Sequence, residues 1–205
     1  MEQRSDEWYT ARLGKVTASR VSDVMAKTKS GYAATRTNYM MQLLCERLTE
    51  KREEAYINAA MQRGTELEPD ARARYESELG LMVEEVGLCD HATITGFGAS
   101  PDGLVGNDGL LEIKCPNTST HIEFLRTGKP DGKYQLQMLA QMACTGRAWC
   151  DFVSYDDRLP YALQYKRVRF MRDDSRIAEM IAEIKVFLQE LDALEKEMAA
   201  MQEAA

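Results

Sequence analysis

This 205-residue chain is short of the residues that build most metal centres, disulfide frameworks and membrane anchors. It has two histidines, His91 and His121, too few and too scattered for an imidazole metal site. Its five cysteines, at 45, 89, 115, 144 and 150, are odd in number and include no Cys-x-x-Cys pair, which leaves zinc and disulfide readings weak. No apolar run approaches the ~20 residues of a membrane-spanning helix, and the N-terminus is too polar for a secretory signal. No membrane association and a cytoplasmic location are therefore expected. An excess of positive charge is also missing. The net charge is −7 and the pI about 5.1, the wrong sign for a protein that simply coats itself onto a polyanion.

What is present fits one compact domain, with 44% hydrophobic and 29% charged residues. No repeat, low-complexity tract or linker divides it. Residues 1–205 read as a single unit: helical over 1–80, strand-rich over 81–170, and a C-terminal helix over 171–205. Strands are expected near 82–90, 93–100, 110–114, 148–154 and 161–170, with a helix near 133–145. Helices first, hairpins next and a late helix between strands indicate α/β (α+β) with a central mixed β-sheet flanked by helices. Lys27 to Arg36, which contains Ser30-Gly31-Tyr32, reads as a mobile loop.

The chemistry concentrates in Ser100-Pro101-Asp102-Gly103 and Leu110-Leu111-Glu112-Ile113-Lys114-Cys115-Pro116. Side chains alternate along a strand, so Glu112 and Lys114 share one face and Ile113 takes the other. Gly106-Asn107-Asp108-Gly109 reads as a hairpin turn that brings Asp102 back beside Glu112. Hard cations such as Mg²⁺ take oxygen ligands and commonly use one or two protein carboxylates, the rest being water and substrate phosphate. Asp102 and Glu112 supply that set. Lys114 is placed to hold the attacking water or to neutralise charge on phosphoryl oxygens. An ordinary surface hairpin with an ion pair is the competing reading.

Charge is unevenly spread. Residues 1–52 carry ten Lys/Arg against six Asp/Glu, whereas residues 171–205 carry four against nine. A phosphate-contacting surface is thus expected around the N-terminal segment, with Arg20, Lys27, Lys29 and Arg36 as candidates. Arg12 and Ser19 lie where one short amphipathic segment ends at Gly14 and another helix begins, with Thr17 or Ser19 as N-cap. A helix start with a nearby arginine is a reasonable anion site; a solvated charge and a mere cap are the alternative. In the tail, Ile177, Met180, Ile184, Phe187, Leu191, Leu194, Met198 and Met201 follow heptad spacing. Packing of its first half on the sheet is expected, with the methionine-rich end left to meet another subunit or protein, or to fray.

The Asp…Glu-x-Lys strand pair resembles the core of the restriction-endonuclease-like, PD-(D/E)XK nuclease superfamily. Flanking segments are similar to the phage lambda exonuclease, or YqaJ-like viral recombinase, family. Trp8, Arg12-Leu13-Gly14 and Thr17-Ala18-Ser19 resemble its first block, and Arg63-Gly64-Thr65-Glu66-Leu67-Glu68-Pro69-Asp70-Ala71-Arg72 its second. The Asp102 and Glu112 segments resemble the third, and Tyr134-Gln135-Leu136-Gln137 the fourth. The resemblance implies a Mg²⁺-dependent exonuclease that degrades double-stranded DNA from a 5′-phosphorylated end, with two ions per site and Mn²⁺ as a substitute. It implies Glu68, Asp102, Glu112 and the Ile113 carbonyl as metal ligands, and Lys114 with Gln137 as the groups that orient water. Gln141, one turn later, has no such support. Arg12, Ser19 and Ser100 are implied to hold the 5′ phosphate. A ring-shaped homotrimer, a single-strand annealing partner and an origin in a phage or prophage are implied as well. An endonuclease or nickase of the same fold, and a catalytically silent DNA-binding or partner-docking subunit, are the rival readings.

Overall fold

The computed structural model describes residues 1–52 and 58–203. Helix α1 (Asp6–Arg12) starts at Ser5, whose hydroxyl accepts the Trp8 N–H at 3.2 Å, while Asp6 and Glu7 suit the positive end of the helix. The turn that follows needs glycine. Gly14 has φ +66°, and a Cβ there would lie 2.6 Å from Arg47 Cγ. The chain then enters β1 (Val16–Thr17), a 3₁₀ turn (Ala18–Arg20) and the four-residue α2 (Val21–Val24). Residues expected to form a mobile loop instead make the hairpin of β2 (Lys27–Thr28) and β3 (Gly31–Tyr32) and the start of α3 (Ala34–Thr49). Asn58 caps α4 (Ala59–Leu79), and Gly80 closes it in the left-handed conformation.

The single strand expected over 82–90 is two, β4 (Val83–Glu84) and β5 (Cys89–Asp90), and they belong to different sheets. Next come β6 (Phe97–Ala99), β7 (Gly103–Val105) and β8 (Gly109–Lys114). A helix not foreseen, α5 (Thr118–Thr127), precedes α6 (Gly132–Thr145), β9 (Trp149–Tyr155), a 3₁₀ turn (Tyr161–Leu163), β10 (Tyr165–Met171) and α7 (Asp174–Glu203).

The main sheet is mixed, in the order β10-β9-β8-β7-β4, with β8 and β9 parallel and the other pairs antiparallel. A smaller sheet, β1-β6-β5, leads from α1 towards it. One face of the main sheet carries Leu110, Cys150 and Phe152 into a large core with α3, α6 and α7. The other carries Leu111, Ile113 and Val153 against Ala71 and Tyr75 of α4. The strict alternation in β8 therefore decides which helix each of its side chains meets. Fully burying each of these aliphatic side chains contributes roughly 1.5–3 kcal/mol.

The seam of α7 is spent within the chain, mainly on α2, α3 and α6, in the core that also takes Leu110, Cys150 and Phe152 of the sheet. Ile177, Met180, Ile184, Phe187 and Leu191 are buried, Leu194 and Met198 pack at the edge, and Met201 is exposed. Among the described residues, no helix is long and apolar enough to cross a membrane.

Candidate active site

Glu112 is fully buried between β8 and α6, where an unpaired carboxylate would be very costly. Three donors hold it. Gln137 Nε2 donates to Oε1 at 2.6 Å, Gln141 Nε2 donates to Oε2 at 2.5 Å, and the Lys114 ammonium also reaches Oε1. Gln137 and Gln141 stand one turn apart on the buried face of α6, so both meet the same carboxylate. The family resemblance singled out Gln137 alone. The i, i+4 amide pair in an otherwise apolar helix was the signal for Gln141.

Asp102 lies across the hairpin from Glu112. Its N–H donates to the Leu111 carbonyl at 3.1 Å, and its Oδ2 accepts the Ile113 N–H at 2.6 Å. Gly109 lets the hairpin close under Trp149, whose ring would lie 2.1 Å from any Cβ there. Burial, followed by the charge of Glu112, raises the Asp102 carboxyl well above its ordinary value. For Lys114, burial pulls the ammonium down, but Glu112 and Asp102 outweigh it and the net shift is upward. Lys114 therefore stays a cation next to two carboxylates.

Glu68 on α4 lines the same cleft as Asp102, Ile113, Lys114 and Gln137, a cavity of about 530 Å³. Its oxygens are engaged, one by Arg4 at 2.5 Å and the other by Arg72 at 3.2 Å. Among the described residues, no three His, Cys, Asp or Glu side chains converge closely enough to form a cage around an ion. The donor set nonetheless fits a hard divalent cation. Asp102, Glu112 and a backbone carbonyl are all oxygen donors, Mg²⁺ takes few protein ligands, and burial beside Glu112 keeps the Asp102 carboxyl raised in spite of Lys114 and the Ile113 N–H, a balance that a further cation would shift.

A second cavity of about 410 Å³ adjoins the first, and Arg4, Ser19 and Met61 line both. The Arg12 guanidinium reaches it from α1, stacked 4.0 Å over the Trp8 ring. Burial lowers the Arg12 pKa, and among the described residues no carboxylate forms an ion pair with it. Ser100 sits behind this pair: its Oγ accepts from Trp8 Nε1 at 2.9 Å and from Arg12 Nη1 at 3.2 Å. Ser19 is exposed at the junction of the cavities. Neither Thr17 nor Ser19 caps a helix here. Thr17 precedes the single 3₁₀ turn without a side-chain cap bond, so positive charge comes from arginine side chains rather than from a helix dipole.

Of the other basic residues expected to contact phosphate, Arg36 is buried, bonded to Glu190 at 2.6 Å and stacked on Tyr32. Lys27 pairs with Glu183, and Arg20 with Asp23. Lys29 alone of the four is exposed with no ion pair among the described residues.

An oxygen-donor cleft on a mixed sheet, with a lysine beside it and an arginine cavity next to it, is an arrangement suited to a phosphate-bearing, polyanionic substrate. The chain belongs to the YqaJ-like viral recombinase domain family, whose model matches residues 7–148. It is similar to an alkaline exonuclease, LHK-Exo, from Laribacter hongkongensis, at 62% identity and TM-score 0.92, over 98% of this chain and 99% of that one. The complex of LHK-Exo with dAMP matches at 61% identity and TM-score 0.93, over 98% and 100% of the two chains. A phage-related exonuclease from Haemophilus somnus 129PT shares the fold at 15% identity and TM-score 0.72, over 90% and 96%. Comparison with curated proteins finds no match.

Proposed function

We propose that the protein is a Mg²⁺-dependent 5′→3′ exonuclease on double-stranded DNA. It releases 5′-mononucleotides and leaves 3′ single-stranded overhangs for annealing-type recombination. The observation that carries this reading is the continuity of the Arg12 cavity with the carboxylate cleft through Arg4, Ser19 and Met61. An anion site one step from a phosphodiester-cleaving site measures distance from a strand end, which is what an exonuclease requires and an endonuclease does not.

Arg12 and Ser19 bind the terminal 5′ phosphate, and Ser100 fixes Arg12 and Trp8 from behind. Asp102, Glu112 and the Ile113 carbonyl would hold one divalent cation, and Glu68 would serve a second. Mn²⁺ suits the same oxygen donors. When bound, a pair of such ions supplies charge stabilisation to the attacking and leaving oxygens of an in-line displacement. Lys114 places its ammonium beside the scissile phosphate, orients the attacking water and offsets charge that grows on the phosphoryl oxygens. Gln137 and Gln141 keep Glu112 from rotating out of line. Gln137 commits its N–H to Glu112, leaving its carbonyl oxygen to accept from water. The Glu68 oxygens that would serve the second cation are engaged here by Arg4 and Arg72. Family membership supports a homotrimeric ring around DNA, a single-strand annealing partner for the 3′ overhang, and a phage or prophage origin acting in the cytoplasm.

The test is digestion of a linear duplex labelled on one strand, with and without a 5′ phosphate, in Mg²⁺ or in EDTA. Metal-dependent release of mononucleotides from the 5′-phosphorylated end is expected. Internal cuts, or nicking of a covalently closed relaxed circle, would replace it with an endonuclease.

A further inference from the structure

Arg4 is unusual in its backbone as well as in its place beside the site. The Ser5 N–H donates to the Glu2 carbonyl at 3.4 Å and closes a turn in which Arg4 is the third residue, with φ +69°. Positive φ at that place in a turn favours glycine or asparagine, so an arginine there is held under strain. The turn is pinned on both sides. Gln3 Nε2 donates to the Val86 and Pro101 carbonyls at 2.8 Å each, and the Ser5 hydroxyl donates to the Glu2 carbonyl at 2.8 Å. Pro101 immediately precedes Asp102, which ties the turn to the loop that carries a cleft carboxylate. From this turn the Arg4 side chain lines both the Arg12 cavity and the carboxylate cleft. Among the described residues its guanidinium makes one hydrogen bond, from Nη2 to Glu68, although a guanidinium carries five N–H donors. Arg72, on the other Glu68 oxygen, also pairs with Glu85, and its side chain is 14% exposed against 44% for Arg4.

We infer that Arg4 is a substrate-binding residue that donates to a non-bridging oxygen of the scissile phosphodiester. The inference rests on the exonuclease reading and adds a substrate contact to it. In that reading the terminal 5′ phosphate lies at Arg12 and the scissile phosphate at Asp102, Glu112 and Lys114. Arg4 belongs to the second of these, because its Nη2 is already bonded to Glu68 inside the cleft. The remaining N–H groups are free to meet a phosphate oxygen without breaking the Glu68 contact, and a planar fork suits two oxygen partners at once. A lysine could not do this as well, since its ammonium is a point charge. The backbone agrees with the side chain. Glycine would serve the turn better but would bring no charge, and strain of this kind persists where the residue has work to do at a site. Arg12 thus reads the end of the strand, and Arg4 holds the bond to be cut.

The test compares the full-length protein with Arg4→Gly, which removes the guanidinium and suits the turn, so that it is expected to melt no lower than Arg4→Ala. Short linear duplexes with a 5′ phosphate or a 5′ hydroxyl are digested at saturating Mg²⁺ under single turnover. Arg4→Gly is expected to release the first nucleotide about 10- to 100-fold more slowly from both kinds of end, in the same proportion, and Arg4→Lys to recover part of the loss. Binding of the 5′-hydroxyl duplex in EDTA, read by fluorescence anisotropy, needs no cation. There the slope of log K against log salt should fall by about one in Arg4→Gly. A residue that only neutralises Glu68 would instead shift the Mg²⁺ concentration for half-maximal rate and leave the saturated rate and the salt slope at their wild-type values. That result overturns the inference, as does an unchanged salt slope alone. A loss confined to 5′-phosphorylated ends overturns it too, because Arg4 would then serve the terminal phosphate. Arg4→Ala repeats every comparison if Arg4→Gly lacks a melting transition. Failure of the wild-type protein to digest the phosphorylated duplex overturns the exonuclease reading, whereas equal digestion by wild type and Arg4→Gly overturns the Arg4 contact and leaves that reading standing.

Discussion

Two groups of charged residues in this molecule are treated in opposite ways. In the cleft and the cavity beside it, burial outweighs the local compensation at two groups. Arg12 is stacked on Trp8 with a serine as its hydrogen-bond partner, and Asp102 is desolvated beside Glu112. Along α7 and at the end of β9, charge is packed and neutralised. Arg36 meets Glu190, Arg47 meets Asp192 and Glu195, and Asp156 accepts from Arg63, Arg158 and Thr118. The excess of basic residues near the N-terminus is thus largely cancelled by the acidic C-terminal helix packed on it. Charge in a sequence is not charge on offer to a ligand. The arginines that remain without a carboxylate are the ones to examine for binding.

The contrast breaks most sharply at the cleft floor. Asp102→Ala and Lys114→Ala should each lower strand hydrolysis by about 10³-fold or more, measured as released nucleotide under single turnover. Asp102→Ala should leave the melting temperature unchanged or raise it, because it removes a carboxylate held under a desolvation penalty. Retained turnover in either variant would remove these residues from the site. Next in size is Arg12→Ala. A charge-assisted phosphate contact is worth about 1.5–3 kcal/mol, so digestion of 5′-phosphorylated ends should fall about 10- to 100-fold while 5′-hydroxyl ends change little. Equal losses on both would mean that Arg12 does not read the phosphate.

The neutralised group should show the reverse, stability without activity. Asp156→Asn breaks a buried network and is expected to cost about 3 kcal/mol in urea unfolding at pH 7. Burial alone would raise the Asp156 carboxyl, but the hydrogen bonds from Arg158 and Thr118 win and hold it well below its ordinary 3.8. An acid with a depressed folded-state pKa stabilises fully above its unfolded value and loses that contribution as pH falls through the folded one. The difference between wild type and Asp156→Asn should therefore hold at neutral pH and shrink below about pH 4. A gap independent of pH would place the cost elsewhere. The smallest effects separate Arg36 from Lys29. Lys29→Ala should reduce the slope of log K for DNA against log salt by about one, and Arg36→Met should leave it untouched. A change with Arg36→Met would mean that the guanidinium leaves Glu190 when DNA binds.

How much of this was legible beforehand differs by element. The pairing of Asp102 with Glu112, and the shared face of Glu112 and Lys114, followed from a hairpin turn and the two-residue period of a strand, both local properties. The helices α4, α6 and α7 announced themselves through apolar spacing. Strand 82–90 was misjudged because a two-residue pairing is fixed by its partners, and β4 and β5 pair in different sheets. The helix α5 escaped because its hydrophobic face is narrow, with Phe124 and His121 as its buried side chains.

By itself, the sequence determined which residues could do chemistry and in what order they stand along the chain, because alternation, turn chemistry and residue type are local. Tertiary structure alone decided which charges are spent. Arg36 and Arg12 are the same residue type in the same basic segment, yet one faces Glu190, 154 positions away, and the other faces Ser100 and an open cavity. Tertiary structure alone also brought Gln141 to Glu112 and set the arginine cavity beside the carboxylate cleft. Electrostatic compensation and cavity shape depend on distances in space, and no period along the chain encodes those.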